Sequence, residues 1–261
     1  MRASDFAYCA TPFAAMAHRG GGLWQPNLGK ENTLAAFRQA VSIGYRYVET
    51  DLQATVDGRL VCMHDDTLER TASAPGRVCD HTAAELSKLT VNGEPIPFFD
   101  EVVAALPGVM FNVDLKTENA VVPLAAAIEE LKLADRILVD SFSQRRISRF
   151  RSLTAGRVPT AMAQPGVVWT RFVPVLSTVV SSPAVAVQVP ATHCFGPVTL
   201  PVVTEQFVAR VHRLGKVVHV WTINDPSEME RLIDLGVDGI ITDRPDLLKE
   251  VLVGRNLWES V

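Results

Sequence analysis

The chain has 261 residues, 48% hydrophobic and 21% charged, with a net charge of −4. That length can bury one large core in a single domain, and the acidic balance excludes a nucleic-acid footprint. Four cysteines (Cys9, Cys62, Cys79, Cys194) show no CxxC pairing, so a reduced intracellular chain is expected.

Before His18 there is one early Arg, an Asp and no long apolar run, which is unlike a signal peptide and leaves a cytoplasmic location as the expectation. Ala14–Ala17 reads as the first strand, followed by His18-Arg19-Gly20. Asn32-Thr33 caps a helix that runs to Ile43 and is closed by Gly44, with Leu34, Phe37, Ala40 and Val41 as its apolar stripe. Tyr45–Thr50 reads as the second strand, and Leu60–Asp65 is also strand-like. From Asp65 to Asp100 the repeat is interrupted by a further strand-like piece and a short helix, Thr82–Leu89. This stretch reads as an insertion in an early βα connection, over the mouth of the fold.

The alternation resumes with strand Val109–Asp114, helix Asn119–Leu131, strand Ile137–Asp140, helix Gln144–Leu153 and strand Arg157–Met162. The apolar run Phe172–Val189 raises the question of a membrane span. It holds Pro174, Pro183 and Gln188, and divides into a helix-like piece and strand Ala184–Gln188, so no stable membrane insertion is expected. Helices Thr204–Leu214, Ser227–Leu235 and Pro245–Val253 then alternate with strands Val217–Trp221 and Gly239–Thr242; Asp225-Pro226 and Arg244-Pro245 mark helix starts. Eight strands with intervening helices predict an α/β fold, a closed (β/α)8 TIM-type barrel spanning residues 1–261 as one domain.

Side chains alternate along a strand, so Glu49 and Asp51 share a face. Asn112, Asp114 and Lys116 share another, opposite Phe111, Val113 and Leu115. An interior charge is costly unless it is paired, hydrogen-bonded or bound to an ion. Three acids, two histidines, an Arg and a Lys at successive strand ends therefore predict a metal-assisted site for an anionic substrate.

Taken in order, His18-Arg19-Gly20, Glu31-Asn32-Thr33, Glu49-x-Asp51, Asp57-Gly58, His64-Asp65 and Leu68-x-Arg70-Thr71 resemble the glycerophosphodiester phosphodiesterase family. Val220-Trp221-Thr222-Ile223-Asn224 and Gly236-Val237-Asp238-Gly239-Ile240-Ile241-Thr242-Asp243-Arg244-Pro245 extend the resemblance over about residues 14–253. It implies a barrel with one divalent cation at the strand C-termini, held by Glu49, Asp51 and Asp114. It also implies His18 and His64 as the acid/base pair, and Arg19 and Lys116 on the phosphate. Oxygen ligands favour Ca²⁺ or Mg²⁺, with Mn²⁺ allowed, over zinc. Two imidazoles can divide proton removal and donation at neutral pH, and either water or the glycerol's neighbouring hydroxyl can attack.

Two departures stand out. Asp114 occupies a position where the family usually has Glu, one methylene longer, which leaves the metal preference open. Gly21–Lys30 is longer than the family spacing and lacks the Pro often found before Glu31; Leu23 and Trp24 there are candidates for substrate contact. Trp221, at the end of its strand, is expected to line the pocket mouth and touch substrate. Glu31 and Asn32 read equally as helix-capping, loop-fixing residues or as substrate contacts. His219 reads as a satisfied interior histidine, Asp243 and Arg244 as a turn into the last helix; His81, His193 and His212 receive no role.

The resulting expectation is a metal-dependent hydrolase with a small-molecule partner, releasing sn-glycerol 3-phosphate and an alcohol, of open oligomeric state. One alternative is a lysophospholipase D-like hydrolase, which needs an apolar groove; Leu23, Trp24, Phe98, Phe99 and Trp169 are the candidates to line it. Another is a non-catalytic phosphodiester-binding barrel, whose expected mark is loss of a catalytic His or of both second-strand acids.

Overall fold

A computed structural model of the chain describes residues 1–172, 182–195 and 198–258. The central sheet contains β1 (Ala14–His18), β2 (Tyr47–Ala54), β3 (Leu60–Cys62), β6 (Met110–Leu115), β7 (Ile137–Asp140), β8 (Ala186–Pro190), β11 (Val217–Trp221) and β12 (Gly239–Thr242). Two small hairpins lie outside it, β4 (Thr90–Val91) with β5 (Glu94–Pro95), and β9 (Thr192–Phe195) with β10 (Val198–Pro201). The strand order is β7-β6-β2-β1-β12-β11-β8, parallel throughout, with β3 antiparallel on β2.

The expected strand Arg157–Met162 is instead a bridging segment. Val139 donates to Pro159 O and Ala161 donates to Val139 O, while Val185 donates to Thr160 O and Met162 to Ala186 O. These bonds join β7 to β8 and close the eight-position ring. Pro159 has no N–H to give, which limits the segment to single bridges. Arg151 holds it from outside, Nε donating to Thr160 Oγ1 at 2.8 Å and Nη2 to Ala161 O at 3.0 Å.

Other boundaries shift by one to four residues. The second strand begins at Tyr47 rather than Tyr45, because Tyr45 N is still bonded to Ala40 O of the preceding helix. That helix, Leu34–Ser42, is capped by Thr33, whose hydroxyl accepts from Ala36 N. In the Asp65–Asp100 stretch, Phe99 already belongs to the barrel helix Phe99–Ala105. The insertion before it buries its own small core of Val61, Met63, Leu68, Val78, Leu86 and Ile96. Phe98 and Phe99 are buried, which removes them as candidates for substrate contact.

The helix-facing side of the sheet is apolar, with Phe37, Val48, Phe111, Val139 and Phe150 in one cluster and Val187, Phe207, Val220 and Ile240 in another. The N-terminal end of the barrel is stoppered by the first residues of the chain. Tyr47 Oη donates to Tyr8 O at 2.9 Å, and the two rings meet edge-to-face. No helix of the described residues is long and apolar enough to cross a membrane. Much of the Phe172–Val189 run, residues 173–181, lies outside the described residues, as does the side chain of Trp169. Cys9, Cys62 and Cys79 are free thiols.

Replacing Arg151 by Met removes the charged clasp on the bridging segment while keeping its aliphatic stem. The expected loss is about 2 kcal/mol of unfolding free energy, measured by urea denaturation, with faster amide exchange at Ala161 and Val185 than at Phe111.

Candidate active site

The parallel register sets the site. His18 pairs with Glu49, and Glu49 with Asn112; one pleat further on, Asp51 pairs with Asp114 and Asp114 with Asp140. Residues at one rung point the same way, so three carboxylates from three adjacent strands stand in a row at the C-terminal end of the ring. They floor a cavity of about 160 Å³ whose walls include His18, Arg19, His64, Lys116 and Trp221. The structure thus gathers all eight residues expected from the sequence (His18, Arg19, Glu49, Asp51, His64, Asp114, Lys116, Trp221) into one cavity.

The turn after β1 explains the His-Arg-Gly sequence. Arg19 has φ of +51°, and its N–H donates to Glu49 Oε2 at 3.1 Å. Gly20 has φ of +87°, and a Cβ there would stand 2.7 Å from Ala36 Cβ, so the helix N-terminus can approach only a glycine. Asn32, also left-handed with φ of +58°, donates to Asp51 Oδ2 at 2.9 Å and accepts from Thr50 Oγ1 at 2.8 Å. Its role is to hold Asp51.

Both histidines are backed by carboxylates. His18 Nδ1 lies 2.6 Å from Asp243 Oδ1, and His64 Nδ1 lies 2.6 Å from Asp65 Oδ1. Burial opposes charge on Asp243, but its bond to His18 leads the contacts that keep its carboxyl below the usual range. The Arg70 bond, aided by His64, draws Asp65 down to about 2. An ionised carboxylate only accepts, so each Nδ1 carries the proton and each Nε2 is left for chemistry. Burial works against a charged His18, yet Glu49, 3.8 Å from Nε2, and Asp243 together raise its pKa.

A chain of ion pairs ties the insertion to the ring. Arg70 Nε bonds Asp65, its other nitrogens grip both oxygens of Glu31 at 2.6 and 3.0 Å, and Glu31 accepts from Arg19 Nη1 at 3.3 Å. Glu31 therefore acts as a brace between two arginines. Arg19 Nε lies 3.0 Å from Asp51 Oδ2 but lacks the angle of a hydrogen bond, so that contact is Coulombic.

The floor is short of positive charge. Burial and neighbouring Asp51 push Glu49 up to about 8, and burial with Asp114 pushes Asp140 up to about 7. Burial likewise raises Asp114. For Asp51 burial is outweighed by Arg19 and Lys116, which hold it ionised. Lys116 Nζ sits 3.2 Å from Asp51 Oδ1 and 3.0 Å from Asp114 Oδ2. With the ammonium there, no trio of acid, His or Cys side chains among the described residues is spaced as a ready metal set. The donor chemistry still suits a hard divalent cation: four clustered carboxylates share the cavity lining with two permanent cations, Arg19 and Lys116, while Arg146 and Arg151 act on Asp114 and Asp140 from outside that lining.

Asp140 and Asp243 are the residues that sequence reasoning missed. Asp140 stands beside Asp114 through the pairing of their two strands, which no pattern within one strand discloses. Asp243, read as part of a turn, is instead the partner of His18, and Asn224 steadies it by donating to Oδ2 at 3.2 Å and accepting from its N–H at 2.8 Å. His219 is the satisfied interior histidine expected, 3.1 Å from Gln188 Nε2, with burial lowering it to about 4. Leu23 and Trp24 do not line the cavity.

A family model for the glycerophosphoryl diester phosphodiesterase family matches residues 18–247. "Probable glycerophosphodiester phosphodiesterase 2" of Mycobacterium tuberculosis is 35% identical over 252 residues, 94% of this chain and 93% of that protein. A glycerophosphodiester phosphodiesterase of Caldanaerobacter subterraneus subsp. tengcongensis is 30% identical over 248 residues, 89% of this chain and 95% of its own. Among solved structures, an Oleispira antarctica phosphodiesterase in complex with the product sn-glycerol-3-phosphate superposes with a TM-score of 0.75 at 24% identity, covering 95% of this chain and 99% of that one. With fold, motif order and length in agreement, the chain belongs to the glycerophosphoryl diester phosphodiesterase family.

Proposed function

We propose that this protein hydrolyses glycerophosphodiesters to sn-glycerol 3-phosphate and an alcohol, with His18 and His64 as its acid–base pair. The observation that carries the reading is the pair of carboxylate-backed histidines facing one acid-floored cavity. A diester phosphate gathers negative charge as it reacts, and Arg19 and Lys116 are the cations placed to meet it. One imidazole takes the proton of the attacking oxygen, the P–O bond to the alcohol breaks, and the other imidazole gives its proton to the departing alkoxide. Asp243 and Asp65 hold the two rings in the tautomer that keeps Nε2 available. Glu49, Asp51 and Asp114 are the residues that would hold a divalent cation, and Asp140 adds charge beside them. Ca²⁺ or Mg²⁺ bound there would supply Lewis-acid charge to the phosphoryl oxygens. With a cation neutralising the acids, the Lys116 ammonium would be available to the phosphate.

Glycerol 3-phosphate release from glycerophosphocholine, glycerophosphoethanolamine and glycerophosphoglycerol tests the reaction. It is expected with Ca²⁺ or Mg²⁺ and lost in EDTA, and His18→Ala or His64→Ala should lower kcat by about 10²–10⁴-fold. Asp243→Asn should lower kcat with little change in KM. Absence of release from every diester, with each metal supplied, would refute the reading.

The charge balance makes a second test. Glu49 and Asp140 have folded pKa values above their unfolded ones, so the folded state binds more protons between about pH 4 and 8. Stability of the metal-free protein is therefore expected to fall as pH rises through that window, most steeply above about pH 6.5, because buried His219, lowered to about 4, contributes the opposite sign below it; raised His18 adds the same sign as the acids above its ordinary pKa. Thermal melts in EDTA should show the decline. Glu49→Gln should reduce it and stabilise the protein at pH 8 by at least about 1 kcal/mol, while abolishing turnover.

A further inference from the structure

Strand β2 carries a third polar side chain on the face that holds Glu49 and Asp51: Gln53, one pleat further on and 1% exposed. Its Nε2 lies 3.1 Å from Met63 O, 3.4 Å from His64 O and 2.5 Å from Asp65 O, and so donates to three consecutive carbonyls. Successive carbonyls of an extended strand point opposite ways, so three aimed at one nitrogen mean that the chain curls around the Gln53 amide as it leaves β3. The β2–β3 ladder ends at Met63, whose N–H donates to Asp51 O at 3.0 Å. Among the described residues no backbone–backbone bond reaches His64 or Asp65, and the next one beyond joins Asp66 O to Val78 N. The backbone of these two residues is therefore held by a side chain.

We infer that Gln53 is a positioning residue for His64: its amide, rooted on the strand that bears Glu49 and Asp51, sets where the His64 backbone lies and so where Nε2 meets the phosphate. The inference rests on the hydrolase reading above. Asp65 orients the imidazole through Nδ1, but it rides on the same curled segment, so it moves with the ring it orients. Two ties fix that segment from elsewhere. The outer one runs from Asp65 through Arg70 to Glu31 and is half exposed; the inner one is Gln53, and it is buried. Packing adds little, since the His64 side chain is 34% exposed against 17% for His18. His18 needs no such tie, because it ends β1 with its backbone already in register with Glu49. The amide has two hydrogens for three acceptors; without them the carbonyls lose their donor, and the segment must move to find another.

The experiment compares the unchanged protein with Gln53→Met, which keeps the side-chain volume and removes both donors. Each is assayed on the glycerophosphodiester the protein cleaves best, with saturating Ca²⁺ or Mg²⁺. We expect kcat to fall about 10–10²-fold, with KM and the half-activating metal concentration each within about twofold. Displacement of Asp51 would move the metal concentration instead. Amide exchange should quicken at residues 64–67 and stay unchanged at Val48 and Phe111. In a double-mutant cycle the Gln53→Met loss should vanish once His64 is replaced by Ala, which a general loosening of the site would not do. Gln53→Asn keeps a buried amide but draws its donors back by one methylene; it should show the same pattern, and it carries the test if the Met variant fails to fold. Unchanged kcat in the variants, with the diester cleaved, overturns the inference alone. A loss that is equally large in the His64→Ala background also overturns it. No cleavage of any diester by the unchanged protein refutes the hydrolase reading and the inference together.

Discussion

Buried negative charge governs this molecule. Glu49, Asp51, Asp114 and Asp140 converge from three neighbouring strands at one end of the ring, where desolvation alone costs several kcal/mol per uncompensated ion. Much of the surrounding architecture answers that cost. Arg19 arrives on a left-handed turn that only the adjacent Gly20 makes room for, Asn32 is held left-handed so that its amide meets Asp51, and Lys116 is placed two residues beyond Asp114 so that its ammonium reaches both Asp51 and Asp114. Burial shifts two of the acids, Glu49 and Asp140, toward their protonated forms instead. The deficit of positive charge that remains is the site's defining electrostatic feature.

The barrel supplies the precision. Register across β1, β2, β6 and β7 fixes the spacing of six polar side chains without any loop having to find them, and the helix-facing side of each strand is filled by close-packed apolar residues. Loops then add what strands cannot: His64 and Asp65 come from the segment that leads from β3 into the insertion, Asp243 from the turn after the last strand. The insertion is held in place by charge as well as by packing, through the chain from Asp65 to Arg70 to Glu31 to Arg19. Displacing any one of these groups would unbalance the next.

Most of this was legible in the chain. Period-two patterning placed Glu49 with Asp51 and Asn112 with Asp114 on single faces, and the ring recovers both pairs. Helix starts at Thr33 and Pro245 followed from capping chemistry, as did the stop at Gly44. What pattern could not supply was lateral register, which alone reveals that Asp140 stands beside Asp114. Long-range pairing also hid Asp243, whose partner His18 is 225 residues away in sequence. The segment around Pro159 misled for a local reason, since its residues have strand-like composition but too few free donors for a ladder.

Lys116 has one more implication, for how the protein comes into being. An ammonium lodged between two carboxylates is an internal counter-ion that arrives with the polypeptide itself. The ring can thus close around a counter-ion that is covalently part of it, one that neither dilution nor dialysis can remove.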